Sequence, residues 1–202
     1  MTTATMVYIG IDSAMSGFGF GPEYETEIIN QEIGGKLICE SVYNADHHSW
    51  QFNIDYKYIN QKGDTIDFSN GGYYGREWNK DEQIRQLNDW LILKTGAWHG
   101  SDRIILRNNK TNKIVTYDID NQFIERQGLW QKQNIESLLN YCCAESFVKT
   151  IKNNEIIVDY KYRTKEKEPD EYGKRQITFE IDEKSGDLTM KKITNANAVY
   201  SK

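Results

Sequence analysis

Polar and apolar residues alternate with a period of two along much of this chain, as strands with one buried and one wet face require. In Trp50–Ile59, Phe52, Ile54, Tyr56 and Tyr58 share one face, and Asn53, Asp55 and Lys57 the other. Glu155–Arg163 sets Ile156, Val158, Tyr160 and Tyr162 against Ile157, Asp159 and Lys161. Gln176–Asp182 groups Ile177, Phe179 and Ile181, and Leu188–Ile193 follows the polar turn Glu183–Asp187. Tyr24–Ile33 and Lys36–Tyr43 flank Gly34-Gly35, a hairpin signal. The turn Asn60–Asp64 leads into Thr65–Phe68, and Arg103–Arg107 and Lys113–Ile119 bracket Asn108–Asn112, predicting two more hairpins. A first strand is read at Met6–Ile11, ahead of a glycine-rich turn at Ser16–Pro22.

Two segments carry a helical period instead. Asp81 is placed to cap a short helix with Ile84, Leu87 and Leu91 on one side, ending near Trp90 and followed by strand. Asn134–Ile151 reads as one long helix: Asn134 is an N-cap candidate, and Ile135, Leu138, Leu139 and Cys142 form an apolar stripe continued by Phe147 and Ile151. The expected fold class is therefore α+β. A mainly antiparallel sheet or partly closed β-barrel carries the one long helix and the short one. The expected core comprises Phe52, Ile54, Tyr56, Tyr58, Leu138, Leu139, Ile156, Val158, Tyr160, Ile177 and Phe179.

No linker separates two domains; Asp120–Gln133 is the only seam that composition suggests. Residues 1–202 are read as one domain, with a frayed tail after about residue 194. Asp55-Tyr-Lys-Tyr58 recurs as Asp159-Tyr-Lys-Tyr162, an echo that similar sheet positions account for. Thirteen Tyr and five Trp give an aromatic content that disordered chains lack. No apolar run is long enough for a membrane helix.

The formal charge of −5 disfavours binding nucleic acid through general electrostatics, because that affinity comes from neutralising phosphates. It suits a basic protein partner, whose encounter opposite fields accelerate. Cys39, Cys142 and Cys143 lack metal-ligand spacing and read as reduced thiols. The first residues lack the pattern of a signal peptide, and a cytoplasmic location is expected.

Candidate chemistry is sparse. His47 and His48 lie in a turn and His99 beside Trp98, with no HExxH pattern, so no metal site is assigned. Cys142 falls on the apolar stripe, where a small buried hydrophobe is expected. Tyr8-Ile-Gly-Ile-Asp12 with the glycine-rich stretch to Gly21 resembles the first strand of ribonuclease-H-like nucleases of the Holliday-junction resolvase family. The resemblance implies that Asp12 binds a divalent metal. It spans only Tyr8–Gly21, and the family's later acidic positions have no counterpart here.

No complete catalytic set can be assembled, and no catalytic residue, cofactor or metal is assigned. Asn70-Gly-Gly-Tyr-Tyr-Gly-Arg-Glu-Trp78 reads as a flexible aromatic loop rich in the residue types that dominate binding hot spots. Tyr73, Tyr74, Arg76 and Trp78, with Trp98, are the expected binding residues. The leading expectation is a protein-binding module of the immunity or inhibitor type that neutralises a basic toxin or nuclease. The alternatives are a small-ligand-binding lipocalin-like barrel and the metal-dependent nuclease using Asp12.

Overall fold

Glycine-rich and asparagine-rich turns fold the chain back on itself, so that nearly every strand pairs antiparallel with its sequence neighbour. A computed structural model describes residues 5–6, 23–43, 52–68, 72–74, 83–96, 101–128, 145–163 and 172–195. They divide into two compact units, residues 1–84 and 85–202.

The first unit is built on one sheet. It contains β1 (Thr5–Met6), β2 (Glu23–Asn30), β3 (Lys36–Tyr43), β4 (Phe52–Ile59), β5 (Thr65–Asp67) and β6 (Gly72–Tyr74). The order is β1-β2-β3-β4-β5, with β6 also on β4. The hairpin tip between β2 and β3 needs its glycines. Gly34 and Gly35 hold φ of 82° and 78°, and a Cβ on Gly35 would lie 2.2 Å from the Ile59 carbonyl oxygen. The Tyr58 hydroxyl donates to the Gly34 carbonyl at 2.8 Å, tying the tip to β4. Leu37, Cys39, Tyr56, Tyr58 and Phe68 are buried, and register puts them on one face, since Leu37 pairs with Tyr58 and Cys39 with Tyr56. Ile38, Glu40, Lys57 and Ile59 on the other face are only half-buried.

The second unit packs two four-stranded sheets against each other. One comprises β7 (Gln83–Leu87, which begins at the division between units), β8 (Trp90–Gly96), β9 (Asp102–Asn108) and β10 (Ile114–Asp118). The other is β11 (Glu145–Lys152), β12 (Glu155–Arg163), β13 (Tyr172–Ile181) and β14 (Leu188–Asn195). Between them lies one core, with Trp90, Ile92, Ile104 and Leu106 from the first sheet and Val148, Ile156, Val158, Tyr160, Ile177, Phe179, Ile181 and Leu188 from the second. The helix α1 (Asn121–Arg126) adds Phe123 and Ile124. Asp120 caps it, accepting from the Phe123 amide at 2.7 Å. Ile119 and Ile124 occupy the N′ and N4 positions of a hydrophobic staple, and both are core residues.

The β13–β14 turn is clamped to the first sheet of this unit. The Trp90 indole donates to the Glu183 carbonyl at 2.7 Å, and the Tyr117 hydroxyl to the Gly186 carbonyl at 3.0 Å. Gly186 sits at φ 76°, and a Cβ there would meet the Trp90 ring at 2.6 Å. Within the turn, Asp182 accepts from the amides of Lys184 and Ser185, which hold its carboxyl below the usual carboxylate range.

Several expectations are corrected. The α+β class with one long helix gives way to an antiparallel β protein whose only described helix is the six-residue α1. Of the expected helix Asn134–Ile151, the described part is strand β11. Phe147 and Ile151 share a helical spacing by coincidence. The burial pattern from Ser146 to Lys149 alternates, and the Asn153-Asn154 turn, with Asn153 at φ 53°, folds β11 onto β12. Phe147 is exposed instead of lying on a buried stripe. The helix expected before Trp90 is the β7–β8 hairpin, turned at Asn88-Asp89 with Asn88 at φ 50°. The sheets are open, so among the described residues there is no closed barrel and the lipocalin-like reading loses its premise. Nor is every sheet wet on one side. All of β8 is buried, including Leu91 and Leu93, which point away from the shared core with Ile105.

The hairpins, by contrast, stand where alternation places them. Tyr56, Tyr58, Ile156, Val158, Tyr160, Ile177 and Phe179 are all buried, the first two in the first unit and the rest in the second. Leu138, Leu139 and the side chains of Phe52 and Ile54 lie outside the described residues.

Candidate interaction site

The aromatic segment expected as a flexible loop is in part a strand. Gly72–Tyr74 forms β6 and pairs with β4, with Ile54 opposite Gly72, Asn53 opposite Tyr73 and Phe52 opposite Tyr74. Its neighbour β5 pairs with the other end of the same β4 edge, with Lys57 opposite Asp67 and Tyr58 opposite Ile66. From Asp67 to Gly72 the chain takes five residue steps where β4 takes three, from Lys57 to Ile54. β5 and β6 thus pair with opposite ends of the same β4 edge. Main-chain pairing holds Tyr73 and Tyr74 at fixed register on the sheet. Arg76, Trp78 and Trp98 lie outside the described residues, as do Asp12, His47, His48, His99, Cys142 and Cys143.

Beside β6, the half-exposed face of the first unit's sheet carries a concentration of negative charge. Glu40 and Asp55 are directly opposite on β3 and β4, and Asp67 is opposite Lys57 on β5. Like charges in directly opposed positions repel. Lys57 relieves this: its ammonium donates to Glu40 Oε2 at 2.7 Å, and that bond with the attraction of Glu40, Asp67 and Asp55 holds its pKa above the ordinary lysine value. Three carboxylates around one ammonium leave the patch net acidic. Asp55 is the residue after Ile54, whose partner begins β6, so acidic patch and aromatic strand adjoin.

Sequence reasoning named the aromatic segment and missed the acidic patch. The signal was in the hairpin registers, because Glu40, Asp55 and Asp67 meet only when three strands are aligned. A second constellation was also missed. Lys94, Thr95, Ser101, Asp102 and Ser146 are buried polar residues of the second unit. Lys94 follows the apolar run Trp90–Leu93 and Asp102 opens β9, which their sequence context does not mark as special.

Among the described residues no group of three or more His, Cys, Asp or Glu is arranged to hold a metal. No described helix is long and apolar enough to cross a membrane. No protein-family model, curated protein or solved structure matches the chain.

Proposed function

We propose that this chain is a cytoplasmic protein-binding module of the inhibitor or immunity type, which engages a basic protein through the acidic patch of the first unit and the aromatic strand beside it. The observation that carries this reading is the adjacency of Glu40, Asp55 and Asp67 to Tyr73 and Tyr74 on strands held by main-chain pairing. A site on paired strands loses less conformational freedom on binding than one on a loop, which improves affinity without new contacts. The net charge of −5 has the sign that steers a basic partner inward. Aromatic side chains then supply the short-range anchor that charge alone lacks.

The test begins with capture of a basic protein on the purified chain and continues with binding kinetics of single variants. Tyr73→Ala and Tyr74→Ala are expected to raise the dissociation rate, one of them costing about 2 kcal/mol or more. Asp55→Lys and Asp67→Lys are expected to slow association instead. Wild-type kinetics in all four variants would remove this surface as the interface.

A further inference from the structure

The second sheet of the second unit has β11 at one end of its order, and an end strand offers its outward amides to any additional strand. Here residues of the same unit engage β11 at Ser146 and Val148. Ser101 forms a parallel bridge with Ser146 of β11. The next residue, Asp102, accepts the Val148 amide hydrogen on its carboxylate Oδ2. That amide faces away from β12, since a side chain outside the sheet receives it. Lys94 lies 3.6 Å from the same oxygen and balances its charge. The Asp102 main-chain carbonyl accepts from Ile119 N at 2.9 Å, and the Ser146 hydroxyl donates to the Ile119 carbonyl. Asp102 and Ser146 are each 1% exposed. Farther along β11, register slips between Val148 and Thr150, and Lys149 and Lys152 are exposed.

We propose that Asp102 is an edge guard: by occupying the outward amide of Val148, its carboxylate keeps β11 from pairing with β11 of a second copy of this chain. The geometry fits this role better than simple cross-linking of two sheets. A buried carboxylate needs strong donors, and an amide at a sheet edge needs an acceptor or a neighbouring strand. Each satisfies the other, at an amide a further strand on this edge would need. The bulge and the two lysines protect the rest of β11 in the ways natural edge strands are protected. Two identical edges related by a two-fold axis pair antiparallel and self-complementarily, so a second copy is the occupant an unguarded β11 would take. Phe147, exposed on β11 next to the guarded amide, would then gain cover.

Amide hydrogen exchange and sedimentation velocity test this on the full chain. In wild type the Val148 amide is expected to be protected at the level of the β12 amides. In Asp102→Ala it should exchange on the order of tenfold faster relative to those amides, the size of one lost hydrogen bond. Asp102→Ala should also shift to higher mass with rising concentration while wild type does not. The double variant Asp102→Ala/Phe147→Lys should return to the wild-type mass, because lysines brought together across the axis repel. A wild-type Val148 amide that exchanges as an open edge overturns the proposal, and this holds even where Asp102→Ala does not fold. So does an Asp102→Ala variant that keeps the wild-type mass at every concentration. Association that Phe147→Lys leaves untouched would mark general unfolding and overturns it equally.

Discussion

Phe179 shows how much rests on single side chains. It is 0% exposed, pairs across strands with Ile156 and Met190, and meets the Phe123 ring at a centroid distance of 5.4 Å. Truncation to alanine removes the transfer energy of the ring and leaves a cavity that two sheets and a helix cannot collapse together. Phe179→Ala is expected to cost about 3–5 kcal/mol, read from denaturant midpoints at unchanged slope. Tyr117 is a second such residue, with a pH signature. Its hydroxyl donates to the Gly186 carbonyl and accepts from Leu188 N at 3.2 Å, and burial pushes its pKa above the ordinary value of 10.0. The folded protein therefore holds this proton more tightly than the unfolded chain does. The resulting stability is whole below the unfolded pKa and is lost as pH rises through the raised folded one. Denaturation midpoints should fall on the alkaline side, and Tyr117→Phe should reduce that fall. A variant that loses stability with pH as steeply as wild type would show that Tyr117 is not the group responsible.

Elements are decided here by their ends more than by their middles. α1 has only six residues, too few for a stable isolated helix, and owes its position to the Asp120 cap and to Phe123 and Ile124 in the core. Asp120→Ala leaves the Phe123 amide without its acceptor and is expected to cost about 1 kcal/mol. A change within error in thermal or denaturant unfolding would place α1's anchorage in its apolar contacts alone. The strand pairs are set in the same way, by short turns. Asn88, Asn112 and Asn153 all adopt positive φ, which asparagine tolerates better than most residues, and each lies between two paired strands. Such turns set register, and register decides which charges meet. Glu40 faces Asp55 because the β3–β4 pairing places them there.

For the whole molecule the expected behaviour is electrostatic. Under the proposed function, a chain of charge −5 with an acidic patch on one sheet face should bind a basic protein at a rate that falls with salt, while dissociation changes little. Association rates for wild type and Asp67→Lys at two ionic strengths check this. The variant should start slower and respond less to salt. Equal salt dependence in both would place the steering charge elsewhere on the molecule.

Most of this architecture is readable from period and punctuation. Alternation marks β4, β12, β13 and β14, and glycine or asparagine pairs mark the hairpins, because side-chain direction along a strand and backbone freedom at a turn are local properties. Tyr56, Tyr58, Val158 and Phe179 are assigned to a buried face on the same grounds. The short α1 was missed because its signal is a single cap and staple, Asp120 with Ile119 and Ile124, inside a stretch read as a seam. Local reasoning fails where two periods fit the same residues. Phe147 and Ile151 satisfy a helix, and Ile84, Leu87 and Leu91 another, yet both segments are strands because neighbouring strands supply hydrogen bonds that an isolated helix would have to make alone. The burial of β8 on both faces depends on what covers its second side, and its continuous run Trp-Leu-Ile-Leu is the one local trace of it. The acidic patch and the Asp102–Val148 contact depend wholly on residues distant in sequence. Chain composition determined a strand-rich, aromatic and acidic protein. Which of its charges stand together, and which of its strand edges is closed, was decided by tertiary pairing, since both are properties of register between strands and not of any one strand.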